Sequence, residues 1–187
     1  MKDSEQFLKV GMTYPHMKAE CHFAIITFGS SANLAMDFTK LEYISSLPTL
    51  TASGTTAIGA AVNLGLDLVD SYSKKMKSVP RNRIQFILVS DGDGGGMDDY
   101  TQAAARCRQY EADYKLNVHS AAVYNAAEGE TNSSALSEQK KKQDKIMRSF
   151  SNLNACIPFE ASRFVDFMRA ISHRSSTVGQ GGEGLKL

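Results

Sequence analysis

The stretch that most limits what this chain can fold into is residues 58–76, where Ile58, Val62, Gly65, Leu66, Val69, Tyr72 and Met76 recur at helical spacing. On one side of it lies the compact apolar run CHFAIITF, Cys21 to Phe28, and on the other IQFILV, Ile84 to Val89. An amphipathic helix must bury its apolar stripe, and two β-forming runs at its ends offer one surface for that: a helix laid across a sheet. The near-continuous apolar character of Ile84–Val89 predicts a strand buried on both faces and central in a parallel sheet. Ile25, Ile26 and Thr27 are β-branched and precede the turn Gly29-Ser30-Ser31, after which Asn33–Phe38 follows at hairpin distance. That segment is expected to pair antiparallel, at an edge.

The same pattern continues downstream. A helix is expected from Asp98-Asp99 through about Tyr114, then the strand Val118–Tyr124. The polar segment Asn125–Gln143 reads as an exposed loop running into a surface helix around Ser137–Phe150. A short strand near Ala155–Phe159 leads to a last helix opened by Ser162, with Phe164, Phe167, Met168 and Ile171 on one face. The fold class is therefore α/β, a mostly parallel sheet with helices on both faces and one antiparallel edge strand. One domain, residues 1–174, is followed by a Gly- and Ser-rich tail, 175–187, expected to be flexible.

Lys and Arg number 21 against 20 Asp and Glu, a balance that gathers neither nucleic acid nor an anionic membrane surface. No apolar run nears the roughly 20 residues of a membrane span, and MKDSEQFLK has no signal-peptide core, so a cytoplasmic chain is expected. Cys21, Cys107 and Cys156 are far apart and set among apolar or small residues, the pattern of buried free thiols. His16, His22, His119 and His173 are scattered and read as structural.

Two polar motifs fall where this architecture places loops on one edge of the sheet: TASGTT before the long helix and LVSDGDGGG after the Ile84–Val89 strand. The hydroxyls of Ser53, Thr55 and Thr56, around Gly54, suit either a helix cap or a ligand loop. Asp91-Gly92-Asp93 suits either a turn or a binding lip. A calcium loop counted from Asp91 fails, because its fifth position is Gly95 and its twelfth Gln102. The Gly-x-x-x-x-Gly-Lys phosphate fingerprint is absent, as are a Gly-x-Ser-x-Gly elbow and a Cys-His pair. Binding rather than catalysis is the expectation. The competing readings are a metal-dependent hydrolase using Asp91 or Asp93 and a scaffold that binds by shape alone.

FAIITFGSSA, LPTLTASGTTAIGAAVNLGLDLV and IQFILVSDG together resemble the von Willebrand factor A family, and within it the bacterial tellurite-resistance, TerY-like branch; FVDFMRAISHRSS looks like that branch's closing helix. The resemblance implies a Rossmann-like protein-binding module of bacterial stress or tellurite-resistance systems, and a metal-ion-dependent adhesion site (MIDAS) holding Mg²⁺. It places Thr55 as a hydroxyl ligand and Asp91 as a water-linked one. Ser53, Gly54, Thr56, Gly92 and Asp93 line the surface that meets an acidic side chain of a protein partner. The family's first strand and its Asp-x-Ser-x-Ser loop have no counterpart here, and Met1 falls where the family often has an internal methionine. In the family that strand lies between those matching Cys21–Phe28 and Ile84–Val89. Its absence predicts an atypical sheet, with the slot filled by Gln6–Thr13, by association of two copies or by a strand-donating partner.

Overall fold

The computed structural model describes residues 21–49, 56–76, 84–91, 100–124, 133–153 and 156–160. Strand β1 (His22–Phe28) pairs antiparallel with β2 (Ala32–Lys40), from His22 opposite Lys40 to Phe28 opposite Ala32, with an irregularity around Ile25. A 3-10 turn, Leu41–Tyr43, follows, and Leu41 and Ile44 seal a small cluster with Cys21, Phe23, Met36 and Leu47. Helix α1 (Ile58–Lys75) leads to β3 (Ile84–Ser90), α2 (Tyr100–Ala112), β4 (Leu116–Tyr124), α3 (Ser133–Arg148) and β5 (Ile157–Glu160). β3, β4 and β5 form a parallel sheet in that order, Ile84 opposite Leu116 and Ala121 opposite Ile157. The alternation of strands and helices expected from the sequence is present among the described residues.

Among the described residues β4 lies between β3 and β5, and no ladder joins β3 to β1. Leu116, Ala121 and Ala122 of β4 are 0% exposed, whereas Ile84, Phe86, Ile87 and Val89 of β3 are half-buried.

One core joins the elements. Ile58, Val62 and Leu66 of α1, Ala103, Ala104 and Cys107 of α2, and Ile146, Met147 and Phe150 at the end of α3 pack on Leu88 of β3 and on Leu116, Val118 and Ala122 of β4. Those strand residues all have one parity, so the three described helices cover one face. The helix expected from Ser162 and the tail lie outside the described residues, as do the covering of the second face and Gln6–Thr13. Each fully buried aliphatic side chain contributes about 1.5–3 kcal/mol. α1 spans both sheets: a Cβ on Gly65 would stand 2.7 Å from the Phe86 ring of β3 and 3.4 Å from Ile26 Cδ1 of β1. Only a glycine lets the helix settle this closely on the layer.

α3 begins at Ser133, four residues before the expected Ser137. Lys141–Glu138 and Arg148–Asp144 pairs, one turn apart, line its polar side, while Ile146 and Met147 anchor it to the core. α2 is held on two sides. Toward α1, Arg106 pairs with Asp67 at 2.5 Å and donates to Asn63 Oδ1 at 3.1 Å, and the Tyr110 hydroxyl donates to Asp70 at 2.5 Å. Toward the turn after α3, Glu111 accepts the backbone N–H of Asn152 at 2.6 Å and the Ser151 hydroxyl at 3.2 Å, and it also takes the Val118 N–H at 3.1 Å. At the end of α2 the Lys115 N–H reaches Tyr110 O at 3.0 Å and the Tyr114 N–H reaches Glu111 O at 3.1 Å. This is a Schellman closure with Tyr114, φ 59°, in the left-handed position glycine usually takes.

Candidate docking rim

The ends of the elements can be placed relative to one another through their contacts. Asn63 and Asp67 meet Arg106 while Asp70 meets Tyr110, so α1 and α2 run parallel. The tight closure after α2 turns the chain straight into β4, whose Val118 N–H bonds back to Glu111, so β4 and its parallel neighbour β3 run opposite to both helices. Asp91, leaving β3, therefore lies at the end of the layer where α1 and α2 begin. β1 reaches that end too, because the Ala57 N–H donates to Gly29 O, just past β1, at 2.7 Å. The carboxyl ends of β1 and β3 and the amino ends of α1 and α2 form one rim.

Thr56 and Asp91 both sit on this rim, Thr56 half-buried immediately before α1 and Asp91 exposed. Ser53, Gly54, Thr55, Gly92 and Asp93 lie outside the described residues. The expected hydroxyl cap is not made by Thr56: Ala57 occupies the N-cap position, without a side-chain cap hydrogen bond. The backbone of Gly29 takes the Ala57 amide instead, a contact with no side-chain signature in the sequence. Beside Asp91, the Ser90 hydroxyl is 3.4 Å from Oδ1. Neither α1 nor α2 carries an acidic residue in its first turn, though Asp98 and Asp99 directly precede α2 in the sequence.

Among the described residues the donors do not by themselves complete a Mg²⁺ site. Mg²⁺ demands an octahedral set of hard oxygens, and at the rim these residues supply the Asp91 carboxylate and the Ser90 and Thr56 hydroxyls, with no group of three His, Cys, Asp or Glu side chains placed to share a cation. Away from the rim, His119 is paired with Gln85 at 2.8 Å across β3 and β4, the structural role expected of it. Cys107 and Cys156 are buried free thiols, and Cys21 is a half-buried one. Burial pushes the Cys107 thiol up to about 12, and burial together with Asp144 lifts Cys156 to about 11. No described helix is long and apolar enough to cross a membrane.

No family model matches the sequence, and no curated protein is similar to it in sequence. Among solved structures the chain is similar to the conserved hypothetical protein BatB from Bacteroides thetaiotaomicron, with a TM-score of 0.55 and 18% identity over 96% of this chain and 88% of that one. It is similar to an aerotolerance-related membrane protein from Bacteroides fragilis, with a TM-score of 0.53 and 17% identity over 94% and 87% of the two chains. Proximal thread matrix protein 1 of the mussel byssus gives 0.53 at 12% identity, over 92% of this chain but 39% of that one. At these identities the likeness is one of fold: this is a mixed α/β chain folded like BatB and the aerotolerance-related protein, with an antiparallel pair and a parallel sheet among the described residues.

Proposed function

We propose that the chain is a protein-binding adaptor of von Willebrand A-like fold, without catalytic activity of its own, that docks an acidic side chain of a partner protein at the rim. The observation that carries this is the meeting of the α1 amino end, fixed by Ala57 on Gly29, with the exit of β3 at Asp91. A carboxylate is favoured at helix amino ends, where amides point outward and the dipole is positive. The hydroxyls of Thr55 and Thr56 and the lip Gly92-Asp93 belong to the same surface by sequence. The likeness to an aerotolerance-related protein agrees with a stress-related role. The tellurite-resistance branch rests on the sequence likeness of residues 47–69 and 84–92.

The test is an NMR titration with an acetylated peptide carrying one central glutamate, against its glutamine counterpart, in Mg²⁺ and in EDTA. The glutamate peptide is expected to shift the amides of Thr56, Ala57 and Asp91 selectively. Loss of those shifts in EDTA, restored by Mg²⁺, places a cation between the partner and Asp91; shifts indifferent to EDTA assign the docking to the helix ends alone. Equal response to both peptides, or none at these amides, refutes the reading.

A further inference from the structure

We propose that the end of the layer opposite the rim, where α1, α2 and α3 finish, is a second docking surface, and that it takes an acidic amphipathic segment of a partner protein. This goes beyond the rim, which lies about 27 Å away along the 18 residues of α1, and it does not rest on the rim's function.

Three observations carry it. The first is a row of exposed apolar side chains, one from each helix end: Met76 at 38% exposure, Tyr114 at 70% and Leu153 at 79%. The packing of the helices sets them side by side. Asp70 of α1 is level with Tyr110 of α2 through their hydrogen bond, and Glu111 of α2 is level with residues 151–152 after α3. At a rise of about 1.5 Å per residue, the three ends fall within about one helical turn of one another. Neighbouring helices stand about 8–10 Å apart, so the row is about 16–20 Å long. The second observation is the backbone of Tyr114. Its φ of 59° is a conformation glycine adopts freely and a tyrosine only at a cost, here with most of the ring in water. Packing within the chain gives little reason for a large aromatic at that position, whereas contact with a partner does. The third is charge. Lys74 and Lys75 close α1, Lys115 follows Tyr114, and Lys145 lies in the last turn of α3, all of them exposed. The neighbouring carboxylates are engaged within the chain: Asp70 by the Tyr110 hydroxyl, Asp113 by Gln109, and Glu111 by residues 151–152. Lysines at helix carboxyl ends also complement the dipoles, but that does not account for the apolar residues among them. An acidic segment with apolar side chains on one face answers both, and as a helix it needs about 11–13 residues to span the row. An anionic bilayer fits less well. Asp113, exposed beside Tyr114, would face its phosphates, and a net charge of +1 supplies no general attraction.

The probe is an acetylated and amidated peptide of leucine and glutamate, with the leucines on one helical face, set against its glutamine counterpart in NMR titrations of the full chain. The glutamate peptide is expected to shift the amides of Met76, Tyr114 and Leu153, and added salt is expected to weaken its binding. Tyr114→Gly and Leu153→Ser are each expected to weaken that binding about tenfold, while the response of Thr56, Ala57 and Asp91 at the rim stays as in the parent. Because Tyr114→Gly also relieves the left-handed backbone, its urea midpoint is expected to rise as its affinity falls, a combination that a purely structural tyrosine does not give. Absence of shifts at the three amides with millimolar peptide, equal response to both peptides, or unchanged affinity in either variant overturns the proposal. Broadening of these amides by phosphatidylserine vesicles, with no response to the peptide, makes a lipid surface the occupant and overturns it likewise. The two sets of amides, at opposite ends of the layer, separate failure here from failure of the rim docking.

Discussion

Replacing Gly65 with alanine sets two opposing effects against each other, and the structure decides the winner. In an exposed helix the change stabilises by about 1 kcal/mol through backbone entropy. Here the added Cβ would stand 2.7 and 2.9 Å from two Phe86 ring carbons and 3.4 Å from Ile26 Cδ1. Ordinary contact begins near 3.4 Å, so α1 or the ring must retreat by about 0.5–0.7 Å. The ring is half-buried against the core and cannot swing freely. Overpacking of this kind costs about 1–3 kcal/mol, leaving a net destabilisation of about 1 kcal/mol. Urea unfolding of Gly65→Ala is expected to show that loss at unchanged m-value, equivalent to about 2–4 °C in Tm. Phe86→Leu removes the obstructing ring, so the alanine is expected to cost less in that background than in the native one. Gly65→Ala as stable as the parent, or additive with Phe86→Leu, would mean that α1 does not rest on β3 at this point.

Tyr114→Gly should stabilise by about 1 kcal/mol, because Tyr114 pays for a left-handed backbone while its side chain is largely exposed; an unchanged urea midpoint would argue against that geometry. Glu111→Ala removes the acceptor of three hydrogen bonds and is expected to cost about 2–3 kcal/mol in the same assay, a loss under 0.5 kcal/mol being incompatible with the bonding described. Ser120, 2% exposed, has its hydroxyl without a hydrogen-bond partner among the described residues, so Ser120→Ala should be neutral or stabilising by up to about 1 kcal/mol; marked destabilisation would show that the hydroxyl is bonded. The raised thiols of Cys107 and Cys156 predict slow labelling by a thiol reagent at pH 8 without denaturant, and fast labelling with it. Since their folded values lie above the unfolded value near 9, the stability they contribute is complete below pH 9 and declines as pH rises toward 11–12. Rapid native labelling of both cysteines at pH 8 would contradict this.

What the sequence disclosed and what it withheld divide along physical lines. The helical spacing from Ile58 to Met76 marks α1, and the turn residues Gly29-Ser30-Ser31 mark the β1–β2 hairpin, because both are local patterns. The place of β3 in the sheet is not local: it depends on which strands lie beside it, and among the described residues β4 does. The first turn of α3, Ser133–Leu136, has little apolar periodicity and so passes for the end of a loop. Tyr114 gives no glycine to announce the end of α2. Glu111 joins α2 to β4 and to residues 151–152, a convergence across some forty positions that no short motif encodes. At the rim, Asp91 was legible as a strand exit, while the backbone bond from Ala57 to Gly29 was not.

The small cluster of Leu41 and Ile44 under the hairpin is separate from the main core. With α1 as the bridge between the two, the β1–β2 ribbon has a melting behaviour of its own. Its few apolar contacts give it less cohesion than the block around β4, so calorimetry of the unliganded chain should resolve a low-temperature shoulder ahead of the principal endotherm.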